Sequence, residues 1–142
     1  MSAKQANDAW ESLLTAHATL MRGFAETDVW RGASIREYDV LYTLSKCPNG
    51  TRISDLQERV LLSQPALSHL VDRLVERGLV ERCEDPTDAR ARRVSLTEAG
   101  REIQHSIGRA HAKDVSAAMA ALSQEELELL TSLSTKLVRS KS

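Results

Sequence analysis

The stretch between Ser63 and Gly78 leaves the chain the least conformational freedom. Leu67, Leu70, Val71, Leu74 and Val75 recur at the three-four spacing of a single apolar helix face. Ser63 suits the cap at its start, Pro65 is tolerated in a first turn whose amides have no intrahelical partner, and Gly78 suits the left-handed residue that ends a helix. Just upstream, Ser54-Asp55-Leu56-Gln57 has the form of a capping pattern, and Leu61-Leu62-Ser63 follows so soon that the helix between them is predicted to be short. Two helices joined by about three residues, the second opening on small polar side chains, form a helix-turn-helix.

The flanks extend this reading. From Ala9 to Phe24, Trp10, Leu13, Leu14, Leu20, Met21 and Phe24 mark a first long helix, with His17 in the same register. Ser34-Ile35-Arg36-Glu37 is a capping box for a second helix that runs to about Lys46 and stops at Pro48-Asn49-Gly50. After Gly78, Leu79–Glu84 and Arg93–Leu96 read as short strands around the turn residues Asp85-Pro86-Thr87-Asp88, forming a hairpin wing. Thr97 caps a long helix through about Ala121, and Ser123-Gln124-Glu125-Glu126 boxes a last one carrying Leu127, Leu130, Leu133 and Leu137. Gly108, inside the fifth helix, costs about 1 kcal/mol relative to alanine, and close approach of another helix is the reason available for it.

With the apolar face turned inward, the fourth helix points Gln64, Ala66, Ser68, His69, Asp72, Arg73 and Arg77 outward. Each base pair shows a distinct donor and acceptor pattern in the major groove. Gln64, Ser68 and His69 can bond base edges, Ala66 can meet a thymine methyl, and Arg73 and the Ser63 cap can hold phosphate. The same pattern also fits the solvated face of any amphipathic helix, and the hairpin separates the two readings. Arg90, Arg92 and Arg93 stand at its tip and return strand, where there is no core to serve and where an arginine can enter a minor groove or clamp phosphates; a merely solubilising charged turn is the alternative. Asp88 can pair with an arginine and hold the loop in shape.

Composition narrows the class. The chain has 142 residues, 42% of them hydrophobic, enough for one core without metal or disulfide staples. A formal net charge of −1 excludes the global basic excess of a non-specific nucleic-acid binder, so any such contact must be local. Arg82, Arg90, Arg92 and Arg93 form such a cluster, whereas the first 34 residues hold Lys4, Arg22 and Arg31 against Asp8, Glu11, Glu26 and Asp28. No signal peptide or apolar run of membrane-spanning length is readable, so a soluble protein of the reducing cytoplasm, with no membrane partner, is expected. Nor is there a phosphate loop, nucleophile elbow or His-Glu-x-x-His motif, which argues against an enzyme and against a cofactor.

The run Leu62-Ser63-Gln64-Pro65-Ala66-Leu67-Ser68, then Val71-Asp72-Arg73-Leu74, Arg77-Gly78-Leu79-Val80-Glu81-Arg82, Asp85-Pro86-Thr87-Asp88-Ala89-Arg90 and Val94-Ser95-Leu96-Thr97-Glu98-Ala99-Gly100 resembles the MarR family of winged-helix regulators in order and spacing. The resemblance implies a mainly α fold with a small β-hairpin: one domain over 1–142, with a winged-helix DNA-binding lobe at about 34–98 and dimerisation helices at about 5–30 and 98–140. It also implies a homodimer on a palindromic operator in double-stranded DNA, with Arg90 as the wing arginine and Asp88 as its support. The apolar stripes of the terminal helices, which include Val138, support dimerisation independently, because a winged helix of about 65 residues needs few of them for its own core.

Members of that family commonly respond to small aromatic acids or phenols, for which His17, Met21, Trp30, Arg36, Tyr38 and Tyr42 offer apolar walls and a few donors. The expected function is a dimeric, sequence-specific regulator, a repressor released by a small aromatic ligand; the alternatives are a winged helix that binds protein and a thiol-based redox sensor. Cys83 lies beside Arg82, which can activate a thiol, but buried structural roles are expected for both Cys47 and Cys83. No metal site is expected, because six residues at 100° each turn His105 and His111 about 120° apart, and Asp114 does not join them on one face.

Overall fold

The computed structural model describes residues 1–141. The elements run α1 (Ala3–Ala25), α2 (Ile35–Ser45), β1 (Thr51–Arg52), α3 (Ile53–Arg59), α4 (Gln64–Glu76), β2 (Val80–Glu84), β3 (Arg92–Leu96), α5 (Glu98–Met119) and α6 (Gln124–Arg139). The three strands form an antiparallel sheet in the order β1-β3-β2, with Val80 opposite Leu96, Cys83 opposite Arg93, and Thr51 opposite Val94.

Local chemistry starts most of the helices where the sequence places them. Ser34 accepts the Glu37 amide while the Glu37 carboxylate accepts the Ser34 amide at 2.9 Å. Ser123 and Glu126 repeat the arrangement, and Ser63 and Thr97 accept the amides of Ala66 and Gly100. Such caps satisfy donors that a helix start leaves orphaned. Gly78 takes φ 74° just after α4, as a left-handed terminator should.

Two boundaries differ from expectation. α1 starts at Ala3, not Ala9, because Ser2 and Gln5 form a capping box ahead of a polar turn that carries no apolar stripe. Ser54 is not a cap: α3 begins at Ile53 with Arg52 at the cap position and no side-chain cap bond. The reason is the strand β1, unforeseen in the sequence, which pairs Thr51 and Arg52 with β3 and delivers the chain into the helix one turn position early.

The main core lies between α2, α3, α4 and the sheet, where Val40, Leu41, Leu44, Leu56, Leu67, Val71, Leu74 and Val94 are almost wholly excluded from solvent. Each such side chain contributes about 1.5–3 kcal/mol of burial. A second cluster of Trp30, Ala33, Tyr38 and Ile107, with Phe24 and Val29 against it, joins α2 to α5 and to the end of α1. By contrast, α1 and α6 contain no buried residue in a single chain, and Trp10 (58%), Leu14 (51%), Leu133 (51%) and Leu137 (60%) stand open to solvent.

Gly100 is where α5 meets the end of the winged helix. A Cβ there would land on the Leu79 carbonyl oxygen, which already accepts the Thr97 amide at 3.1 Å. Gly100→Ala is therefore expected to lower stability by about 1–3 kcal/mol through overpacking against backbone that cannot rotate away. A thermal or urea unfolding midpoint equal to that of the parent chain would refute this packing.

Candidate nucleic-acid interface and interhelical cleft

α4 presents Gln64, Ala66, His69 and Arg73 to solvent beyond its Ser63 cap, while Ser68 is half-buried at the edge of the same face. Two other outward-facing residues are exposed but also make ion pairs within the chain. Asp72 pairs with Arg82 of β2, tying the middle of α4 to the wing's first strand, and Arg77 reaches Glu37 at the start of α2 at 3.5 Å. The exposed side chains of α4 free of these ion pairs include Gln64, Ala66, His69 and Arg73.

The wing is organised by a residue the sequence reading took only as turn chemistry. Asp85, 4% exposed, accepts through Oδ1 from the Thr87 amide (2.8 Å), the Thr87 hydroxyl (2.6 Å) and the Asp88 amide (3.1 Å). Through Oδ2 it accepts from Arg52 Nε (2.8 Å) and Arg93 (3.1 Å). Arg93 also donates to the Gly50 carbonyl at 2.9 Å, so this arginine is built into the base of the wing and is not offered to a ligand, as Arg90 and Arg92 are. Asp88 does support the loop, though by accepting the Arg90 backbone amide at 3.0 Å and not by pairing with an arginine side chain. The Asp-x-x-Asp turn was the available signal for Asp85, since a short carboxylate readily accepts the amide two residues on; its partner Arg52, more than thirty residues away, had none.

Between α2 and α5 lies a cleft of about 530 Å³ lined by Tyr38, Asp39, Tyr42, Gly108, His111 and Val115, among others. Of the six candidates for a small-molecule site, Tyr38 and Tyr42 line it. Trp30 lies behind them, its ring 5.5 Å from that of Tyr38 and 4.9 Å from that of His111, with its indole N–H donated to the Phe24 carbonyl at 2.9 Å. His17 and Arg36 do not line the cleft but act electrostatically on Asp39, and Met21 is half-buried on α1 away from the lining. Burial pushes the Asp39 carboxyl up, against the opposing pull of Arg36, and pushes the Tyr38 hydroxyl up as well. The α5 wall, including His111, was missed, although Gly108, His111 and Val115 recur at helical spacing. Gly108 has the close neighbour anticipated for it, since a Cβ there would sit 3.2 Å from the Tyr38 hydroxyl.

The expected burial of both cysteines needs correction. Cys83 is exposed, because β2 buries only Val80 and its wing end runs beyond the core. Cys47 is half-buried, with its sulfur 3.5 Å from the Thr43 carbonyl and 3.7 Å from an Arg59 nitrogen. Among the described residues no helix is long and apolar enough to cross a membrane.

A sequence profile of the MarR family matches residues 32–91, which span α2, the helix-turn-helix and the wing up to the start of β3. The HTH-type transcriptional regulator MhqR of Bacillus subtilis is 28% identical over 81 residues, 57% of this chain, and the match spans 56% of that relative's length. A mutant MarR of E. coli, solved in complex with operator DNA, superposes with a TM-score of 0.80 at 22% identity, over 94% of this chain and 95% of that one. The PcaV transcriptional regulator of Streptomyces coelicolor, solved with its natural ligand, gives 0.71 at 24% identity, over 94% and 92%. The described residues, terminal helices included, therefore share the fold of these solved regulators.

The Asp85 network generates a test. Arg52 above all, then Thr87, holds the Asp85 carboxyl far below the ordinary carboxylate range. A group whose pKa folding lowers contributes fully above its unfolded value, about 3.9, and loses that contribution as pH falls below it. The wing should thus be fully braced at neutral pH and loosen only in strong acid. At neutral pH, Asp85→Asn is expected to speed amide hydrogen exchange at Thr87, Asp88 and Arg90 several-fold; exchange matching the parent at all three would rule the brace out.

Proposed function

We propose that this protein is a homodimeric, sequence-specific DNA-binding regulator of the cytoplasm, a repressor released from a palindromic operator by a small aromatic ligand. The observation that carries the reading is the pairing on one lobe of an α4 that exposes Gln64, Ala66, His69 and Arg73 with a wing whose Arg90 and Arg92 project beyond an internally neutralised base. In that arrangement Gln64, Ala66 and His69, helped by Ser68 at the edge, read base edges in the major groove. Ser63 and Arg73 fix the phosphate backbone, and Arg90 enters the adjacent minor groove or clamps its phosphates, with Arg92 beside it. The likeness in fold to a regulator solved on its operator supports this assignment.

The homodimer follows from the terminal helices. Leu13, Leu14, Leu130, Leu133 and Leu137 are exposed on α1 and α6, more apolar surface than a soluble monomer usually leaves uncovered. Pairing these faces about a twofold axis would set two α4 helices toward half-sites about one helical turn apart. The ligand's place is the α2–α5 cleft, which lies between the winged helix and the helices assigned to the dimer; occupancy there favours a lobe spacing that does not fit the operator.

Arg90→Ala should weaken duplex binding by about 1–3 kcal/mol while the dimer persists in sedimentation. Unchanged affinity in a gel-shift titration would remove the wing from the interface. Binding of the parent chain should fall steeply with salt as phosphate contacts release counterions; a flat response, or a monomer in sedimentation, would favour a protein-binding winged helix instead. Gln64→Ala and His69→Ala should change which duplexes are selected from a random library more than they change total affinity. An equal loss on all sequences would count against base reading.

A further inference from the structure

We infer that the α2–α5 cleft selects a small aromatic amine in its ammonium form over an aromatic carboxylate, with Asp39 as the residue that sets the preference. This deepens the ligand-release reading above and rests on it. The lining supplies one formal charge, the Asp39 carboxylate, and no lysine or arginine. The basic groups that act on Asp39 are Arg36 from its own helix, His17 from α1 and His111 from α5; of these only His111 belongs to the lining. Lys46, at the end of α2, lies 4.5 Å from the centre of the Tyr42 ring and does not line the cleft either.

A carboxylate entering this space would place a second anion near Asp39 in a partly desolvated site, with no lining lysine or arginine to offset it. An ammonium meets the opposite conditions. Asp39 neutralises it in a cleft whose aromatic wall is supplied by Tyr38 and Tyr42. His111, on the opposite wall, has its ring held against Phe24, Trp30 and Tyr38 at 4.9, 4.9 and 5.6 Å.

The test is a calorimetric titration of the full-length chain near neutral pH with benzylamine, benzyl alcohol and benzoate, which share a ring and differ in the charge of the head group. The Trp30 indole N–H resonance locates binding, because that ring packs on Tyr38 and His111. Benzylamine is expected to bind roughly tenfold or more tightly than benzoate, with the alcohol between them. Asp39→Asn should remove the preference and Asp39→Glu should retain it, with thermal unfolding of each variant as the check on folding. Benzoate binding as well as the amine, or a preference that survives Asp39→Asn, overturns the charge assignment and leaves the cleft reading intact. Failure of all three compounds to bind or to shift the Trp30 resonance overturns the cleft reading together with it.

Discussion

The two hydrophobic clusters share one helix, and the rest of the molecule is arranged around that sharing. α2 turns Val40, Leu41 and Leu44 into the winged-helix core and Tyr38 into the cluster with Trp30 and Ile107. Residues three and four apart lie on one side of a helix, and a helix of 11 residues has room for both faces only if nearly every position is engaged. Its polar ends are engaged too: Glu37 closes the capping box and accepts Arg77 from the end of α4. A lobe that carries α4 and the wing therefore cannot tilt against α5 without moving α2, and moving α2 disturbs one cluster or the other.

The wing shows a different balance of forces. A carboxylate as enclosed as Asp85 would be costly alone, and a buried ion pair gains stability only when its remaining lone pairs are also satisfied. Here both oxygens are filled, one by two arginines and the other by three local donors. The outcome is shape as much as stability: the loop from Pro86 to Arg90 is fastened at Thr87 and Asp88 by Asp85 and at Arg90 by Asp88. It also reconciles a net charge of −1 with a basic wing. Arg52 and Arg93 are neutralised at the base and Arg82 on Asp72, which leaves Arg90 and Arg92 as the unneutralised arginines of the hairpin.

What could be read from the sequence was what depends on neighbours within a few residues. The caps at Ser34, Ser63, Thr97 and Ser123 each involve a donor three positions away, and the apolar face of α4 repeats within its own length. What could not be read was set by distant partners. β1 consists of two residues with no alternation, and it exists because β3 offers an open edge more than forty positions later. That pairing displaced the expected cap at Ser54. It also brings Arg52 to Asp85, so a single long-range strand contact accounts for both the misplaced helix start and the unforeseen wing brace. The cleft was half legible for the same reason: the tyrosines of α2 are conspicuous, whereas His111 and Val115 matter only once α5 is packed against them.

That packing bears on how the proposed occupancy of the cleft can reach α4 and the wing. A ligand changes a conformational equilibrium only by as much as it binds the two states differently. Asp39 belongs to α2 and His111 to α5, so a molecule touching both is sensitive to the separation of those helices, which is the coordinate that lobe tilting changes. The aromatic packing around His111 makes its side of the cleft stiff, and the core contacts of Val40, Leu41 and Leu44 make α2 move with α4 and not apart from it. Coupling of this kind requires no loop to rearrange. It requires that α2 has no independent freedom, and its two buried faces provide that condition.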